Sequence, residues 1–119
     1  MRWSVVVLPA LLLGGCTSSN SLYEWGSYQP ALVKYTKNSD AAEFEKELRE
    51  TIEKGERRDS VPPGVYAELG YLLLDTKRPE EALVFFQKEK ERFPESAVLM
   101  DKMISGASNA AGGESENAS

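Results

Sequence analysis

Small side chains at Gly70 and Ala82, set among bulky apolar neighbours, constrain the fold of this chain more than any other feature. Tyr66, Leu69, Gly70, Leu73, Ala82, Phe86 and Pro94 stand at offsets 0, 3, 4, 7, 16, 20 and 28. The first four recur as one face of a helix, and the next two belong to a second helix that the proline closes. Two antiparallel helices can approach closely only where one side offers no bulk. Gly70 and Ala82 provide that room, and Tyr66, Leu69 and Phe86 fill the space around it.

This spacing resembles a tetratricopeptide repeat, a helical hairpin with a period of about 34 residues. Two positions depart from the family pattern: Glu89 stands where a small residue is usual, and Thr76-Lys77-Arg78 replaces a glycine-containing turn. A weaker copy lies 34 residues earlier, where Leu32, Tyr35, Leu48 and Ile52 match Tyr66, Leu69, Ala82 and Phe86. Met100 and Met103 fall at first-helix positions of an incomplete third unit. One hairpin cannot bury both its faces, so the flanking helices are expected to cap it.

The rest of the middle is consistent with an all-α fold of about five helices, over residues 28–37, 40–57, 62–75, 79–93 and 96–104. Asp40 followed by Glu43 suits a helix start, and Phe44, Leu48 and Ile52 recur every four residues behind it. The opposite face, from Glu45 to Lys54, is charged and is expected to be solvated. Residues 22–105 therefore form the expected domain. After it the composition turns to Ala, Ser, Asn, Gly and Glu, and residues 106–119 are expected to be disordered because they bring no bulky apolar side chain to bury.

The front of the chain reads as an address. Arg2, an apolar run from Trp3 to Leu13, and Leu13-Gly14-Gly15-Cys16 resemble the lipobox of bacterial lipoproteins. The run is short of the roughly 20 apolar residues that a spanning helix needs. Residues 1–15 are thus expected to be a signal peptide, and residues 16–21 an acylated Cys16 with a polar tether. Thr17 after the cysteine points to the outer membrane, with the protein facing the periplasm. Two or three acyl chains would hold it stably, since one alone anchors marginally.

Composition excludes much chemistry. The chain of 119 residues has no histidine and one cysteine, so it offers no histidine relay, no disulfide and no Cys/His zinc site. A formal net charge of −5 argues against general nucleic-acid binding. No carboxylate pair sits in a recognisable setting that would tune it for catalysis. The expectation is a non-enzyme, with no metal, cofactor or small-molecule substrate.

Tyr23-Glu24-Trp25-Gly26-Ser27-Tyr28 puts three aromatics directly after the tether. They either fold back as a cap on the first hairpin, the preferred reading, or present a patch to a partner. With the lipobox and the single repeat, this segment resembles a family of small, uncharacterised bacterial lipoproteins often encoded beside a curli-pore-like lipoprotein. That resemblance implies an accessory role in an envelope assembly and supplies no catalytic residue. The function expected is a lipid-anchored helical adaptor for another envelope protein; the alternative is a regulator or binder of a peptidoglycan enzyme. Besides Cys16 and the membrane, the partner-facing candidates are Ala67, Tyr71 and Leu74 on the third helix, Val33 and Lys37 beside them, and Tyr23, Trp25 and Tyr28.

Overall fold

The computed structural model describes residues 22–26, 28, 32, 35 and 40–117. Four α-helices follow one another: α1 (Ala41–Arg57), α2 (Val65–Asp75), α3 (Pro79–Arg92) and α4 (Ala97–Asn117), with a 3-10 turn at Pro94–Ser96 before the last. No strand occurs among the described residues. The all-α expectation holds, with four α-helices bounded among the described residues where about five were anticipated. The first expected stretch, residues 28–37, is described only at Tyr28, Leu32 and Tyr35, all three helical.

Asp40 starts α1 by accepting the Glu43 N–H at 3.1 Å. Phe44, Leu48 and Ile52 then form its buried stripe. Gly55 does not end the helix. It is buried where the chain turns back, and a Cβ there would stand 2.8 Å from the Val61 Cα. The Ser60 N–H donates to the Gly55 carbonyl at 2.8 Å, and the Asp59 N–H to Glu56 at 3.3 Å. These two bonds make a Schellman closure with Asp59 in the left-handed region at φ 51°.

The same closure ends α2. Arg78 N–H donates to Leu73 at 2.7 Å and Lys77 N–H to Leu74 at 3.1 Å, with Lys77 at φ 64°. Lys77 therefore does the work of the missing turn glycine, at some backbone strain. Pro79 follows as the first residue of α3, where its absent N–H costs nothing. So short a connection makes α2 and α3 an antiparallel pair.

The pair packs as its small residues require. Ala82, Leu69, Leu73 and Phe86 are fully buried, and a Cβ on Gly70 would lie 2.5 Å from the Phe86 ring. Helix α4 covers the other side of α3 through Met100 and Ala107, with Met103 and Ile104 half-buried beside them. At the opposite end, Trp25, Tyr28, Leu32 and Tyr35 lie half-buried on the core. Tyr35 stacks on Phe44 with ring centroids 4.7 Å apart, and the Glu24 N–H donates to the Ser60 carbonyl at 2.8 Å. The aromatic segment is the cap of the first unit.

The tail departs from its expected disorder. Helix α4 runs to Asn117, and Ala107 is buried in the core. Alanine has the highest helix propensity and no side-chain entropy to lose, so a stretch without bulk can still extend a helix already anchored by Met100. Deleting residues 107–119 is accordingly expected to lower stability by about 1–2 kcal/mol, since it removes a buried contact and the last turns. Deleting residues 114–119 should cost under about 0.5 kcal/mol. Thermal melts of the two truncations check this; equal melting temperatures would refute the role given to Ala107.

Candidate functional site

Helix α2 is apolar almost all round and is covered by neighbours on most sides. Tyr71, and Asp75 at the helix end, are the exceptions. Tyr71 is 40% exposed and meets the Phe86 ring edge-on at 5.5 Å, so its inner edge is packed and its outer face is open. Around it lies a shallow groove of about 320 Å³, lined by Tyr35, Phe44, Glu68, Tyr71, Leu72 and Asp75. Glu68, Tyr71, Leu72 and Asp75 form one stripe of α2 at helical spacing, and the stacked pair Tyr35 and Phe44 faces them. Burial pushes the Glu68 carboxyl up from its ordinary value. The Tyr28 hydroxyl is likewise raised, by burial first and by Glu68 second.

The other expected partner-facing residues are distributed differently. Ala67 is buried in the core and Leu74 is half-buried against it, so neither offers a surface comparable to Tyr71. Alanine at position 67 is too small to reach past its neighbours on a helix covered on that side. Trp25 and Tyr28 are packed on the core as the cap described above, and Tyr23 is half-buried. Their patch is therefore partly covered, each of the three being less exposed than Tyr71. Val33, Lys37 and Cys16, with the signal and tether, lie outside the described residues.

Two features escaped the sequence reading. The first is a ladder of ion pairs joining α1 to α3. Glu45 accepts from Arg78 at 2.9 Å, Arg49 pairs with Glu81, Lys88 donates to Glu56 at 2.9 Å, and Arg92 pairs with Asp59. The partners are 32 or 33 residues apart and ascend together, so α1 and α3 run parallel, as second helices of successive repeats should. The face of α1 expected to be solvated is partly this seam. The Arg78 guanidinium holds the Glu45 carboxyl below its usual range, and Lys88 does the same for Glu56. The repeat period was the available signal: opposite charges one period apart meet on parallel helices.

The second is Glu89. Gly64, at φ 88°, precedes α2 and has no side chain with which to cap it. The Glu89 carboxylate, only 3% exposed, accepts the Gly64 N–H at 2.7 Å from the next helix. Its Oε2 has no hydrogen-bond partner among the described residues. Burial raises the Glu89 carboxyl, against the opposing pull of the Gly64, Ala67 and Tyr66 N–H groups. The departure from the repeat pattern is thus a cap supplied across the hairpin.

Among the described residues, no helix is long and apolar enough to cross a membrane. A family profile described as Domain of unknown function (DUF4810) matches residues 22–103, which takes in the aromatic cap, α1 to α3 and the start of α4. No curated protein and no solved structure matches the chain.

Proposed function

The chain belongs to the DUF4810 family, and we propose that it works as a lipid-anchored, periplasm-facing helical adaptor that binds another envelope protein. The observation that carries this reading is the open aromatic groove at Tyr71, on a helix whose other apolar side chains are buried or half-buried. An aromatic with one packed edge and one open face is held in place before a partner arrives, so little side-chain entropy is lost on binding. Cys16 supplies the membrane attachment, and Thr17 favours the outer membrane. An accessory role beside a curli-pore-like lipoprotein is the finer form of the proposal, and it comes from the family resemblance of the lipobox and aromatic segment.

Two measurements test the anchor and the groove separately. Cys16→Ala is expected to abolish incorporation of labelled palmitate and leave an unprocessed precursor; undiminished labelling would refute the lipoprotein reading. For the groove, a photocrosslinker at position 74 in intact cells is expected to capture one envelope protein. Tyr71→Ala should then cut the yield by about tenfold or more, as loss of an anchoring aromatic does. Melting the same variant distinguishes an interface residue from a core one. A folded variant that still crosslinks normally removes Tyr71 from the site, and capture of a wall synthase or hydrolase would redirect the adaptor to peptidoglycan enzymes.

A further inference from the structure

Among the described residues, two arrangements set aromatic rings beside carboxylates, and one of them holds cations. On the seam between α1 and α3, the rings of Tyr66 and Phe85 stand near Glu56 and Glu81. Lys88 lies 5.5 Å from the centre of Tyr66 and 5.6 Å from that of Phe85, while also bound to Glu56 at 2.9 Å. Arg49 lies 5.6 Å from the centre of Phe85 and pairs with Glu81. Each cation is thus held both by a ring face and by a carboxylate.

The groove at Tyr71 repeats the pattern without the cation. Tyr35, Phe44 and Tyr71 provide the rings, and Glu68 and Asp75 flank Tyr71 on the same stripe of α2, about 10 Å apart along the axis. Neither carboxylate has an ion pair among the described residues, whereas Glu45, Glu56, Glu81 and Asp59 on the seam all do. Glu68 is, in addition, half-buried. A carboxylate held partly out of water with no counter-charge is a standing cost that an incoming cation relieves.

We infer that the Tyr71 groove seats a lysine or arginine side chain of the partner protein, between the Tyr35 and Tyr71 rings and against Glu68 and Asp75. This rests on the adaptor reading and gives the partner a chemical requirement: a basic residue on an accessible segment. Cation and rings attract through the ring quadrupole, and the two carboxylates set the sign of charge that is admitted. An acidic or purely apolar segment would leave Glu68 uncompensated.

The test uses the full chain in intact cells, with p-benzoylphenylalanine at position 71 so that a ring remains there. The captured polypeptide is digested and its attachment site mapped by mass spectrometry. A lysine or arginine within two residues of the attachment is expected. Glu68→Gln with Asp75→Asn should lower the yield about tenfold, the scale of losing the counter-charge of a partly desolvated cation. Asp75 is exposed, so Asp75→Lys keeps the fold and should abolish capture by repelling the same side chain; melting curves confirm that both variants are folded. An attachment segment with no basic residue, or a yield indifferent to the acids, overturns the cation seat and leaves the adaptor standing. No product from the parent at either position 71 or 74 overturns both.

Discussion

Gly70→Ala is expected to lower the stability of this protein by about 2 kcal/mol, although alanine is the better helix former. On an exposed helix the exchange would gain about 1 kcal/mol from propensity. Here the new methyl meets the Phe86 ring at 2.5, 2.8 and 2.9 Å. The ring is fully buried and has Tyr71 against it at 5.5 Å, so it has little room to yield. Overpacking of such a contact costs about 1–3 kcal/mol and occasionally more, which outweighs the propensity gain. Gly70→Val, bulkier and β-branched, should cost about 3 kcal/mol or more. Gly106→Ala is the matched control: nothing lies within 4 Å of its added Cβ, and a gain of about 0.5–1 kcal/mol is expected. Combining Gly70→Ala with Phe86→Leu should cost less than the two single losses added, because the shorter side chain vacates the clash. Denaturant melts of these variants and of the Phe86→Leu single decide the matter. If Gly70→Ala and Gly106→Ala shift stability in the same direction, the close approach of α2 and α3 is not what fixes this hairpin.

Gly70, Ala82 and Phe86 were legible because the contact they make is local to one hairpin, and a small residue opposite a large one is a pattern that sequence spacing records. The same logic failed at 34 residues' distance. Nothing in α1 alone says that Glu45, Arg49 and Glu56 face α3, since the seam exists only once two repeats are stacked with their second helices parallel. Asp59 and Lys77 hid the helix endings for another reason. Both take the left-handed conformation that a glycine would have advertised, and the closing hydrogen bonds carry no side-chain signature. The tail from Ala107 onward misled because its composition suits both a helix and a disordered segment. Contact between Ala107 and the core, a tertiary fact, decides between them. At the groove, the repeat numbering named Tyr71 alongside Ala67 and Leu74, and of the three Tyr71 is the exposed one. Glu68 and Asp75 went unnoticed because their significance lies in bordering the aromatic groove without the counter-charge that Glu45, Glu56, Glu81 and Asp59 have on the seam.

Glu89→Ala should be costly in a way that depends on pH. Truncation leaves the Gly64 N–H without its partner at the start of α2 and opens a void beside it. Gly64 lies exposed, so water reaches part of the freed N–H, and the void left by the buried Glu89 side chain adds to its cost; a loss of about 1–2 kcal/mol is expected in mild acid. The direction with pH follows from linkage. Burial raises the Glu89 carboxyl in the folded protein above its unfolded value, which lies near 4.3. Its contribution is therefore fully present below that value and is lost as pH rises through the folded pKa, where an ionised carboxylate must stay buried with Oε2 unpartnered. The cost of Glu89→Ala should shrink accordingly between about pH 4 and neutrality. Glu45 and Glu56 act in the opposite sense, being held below their usual range and losing their contribution on acidification. They are unchanged in every variant, so the difference between variant and parent isolates Glu89. Glu89→Gln keeps an oxygen for the Gly64 N–H and carries no charge at any pH, as the protonated acid does. It should match or exceed the parent near neutrality and lose that advantage below about pH 4.5. Stability curves for Gln variant and parent that run parallel from pH 4 to 8 would show that Glu89 is not titrating in the cap, and the raised carboxyl would have to be abandoned.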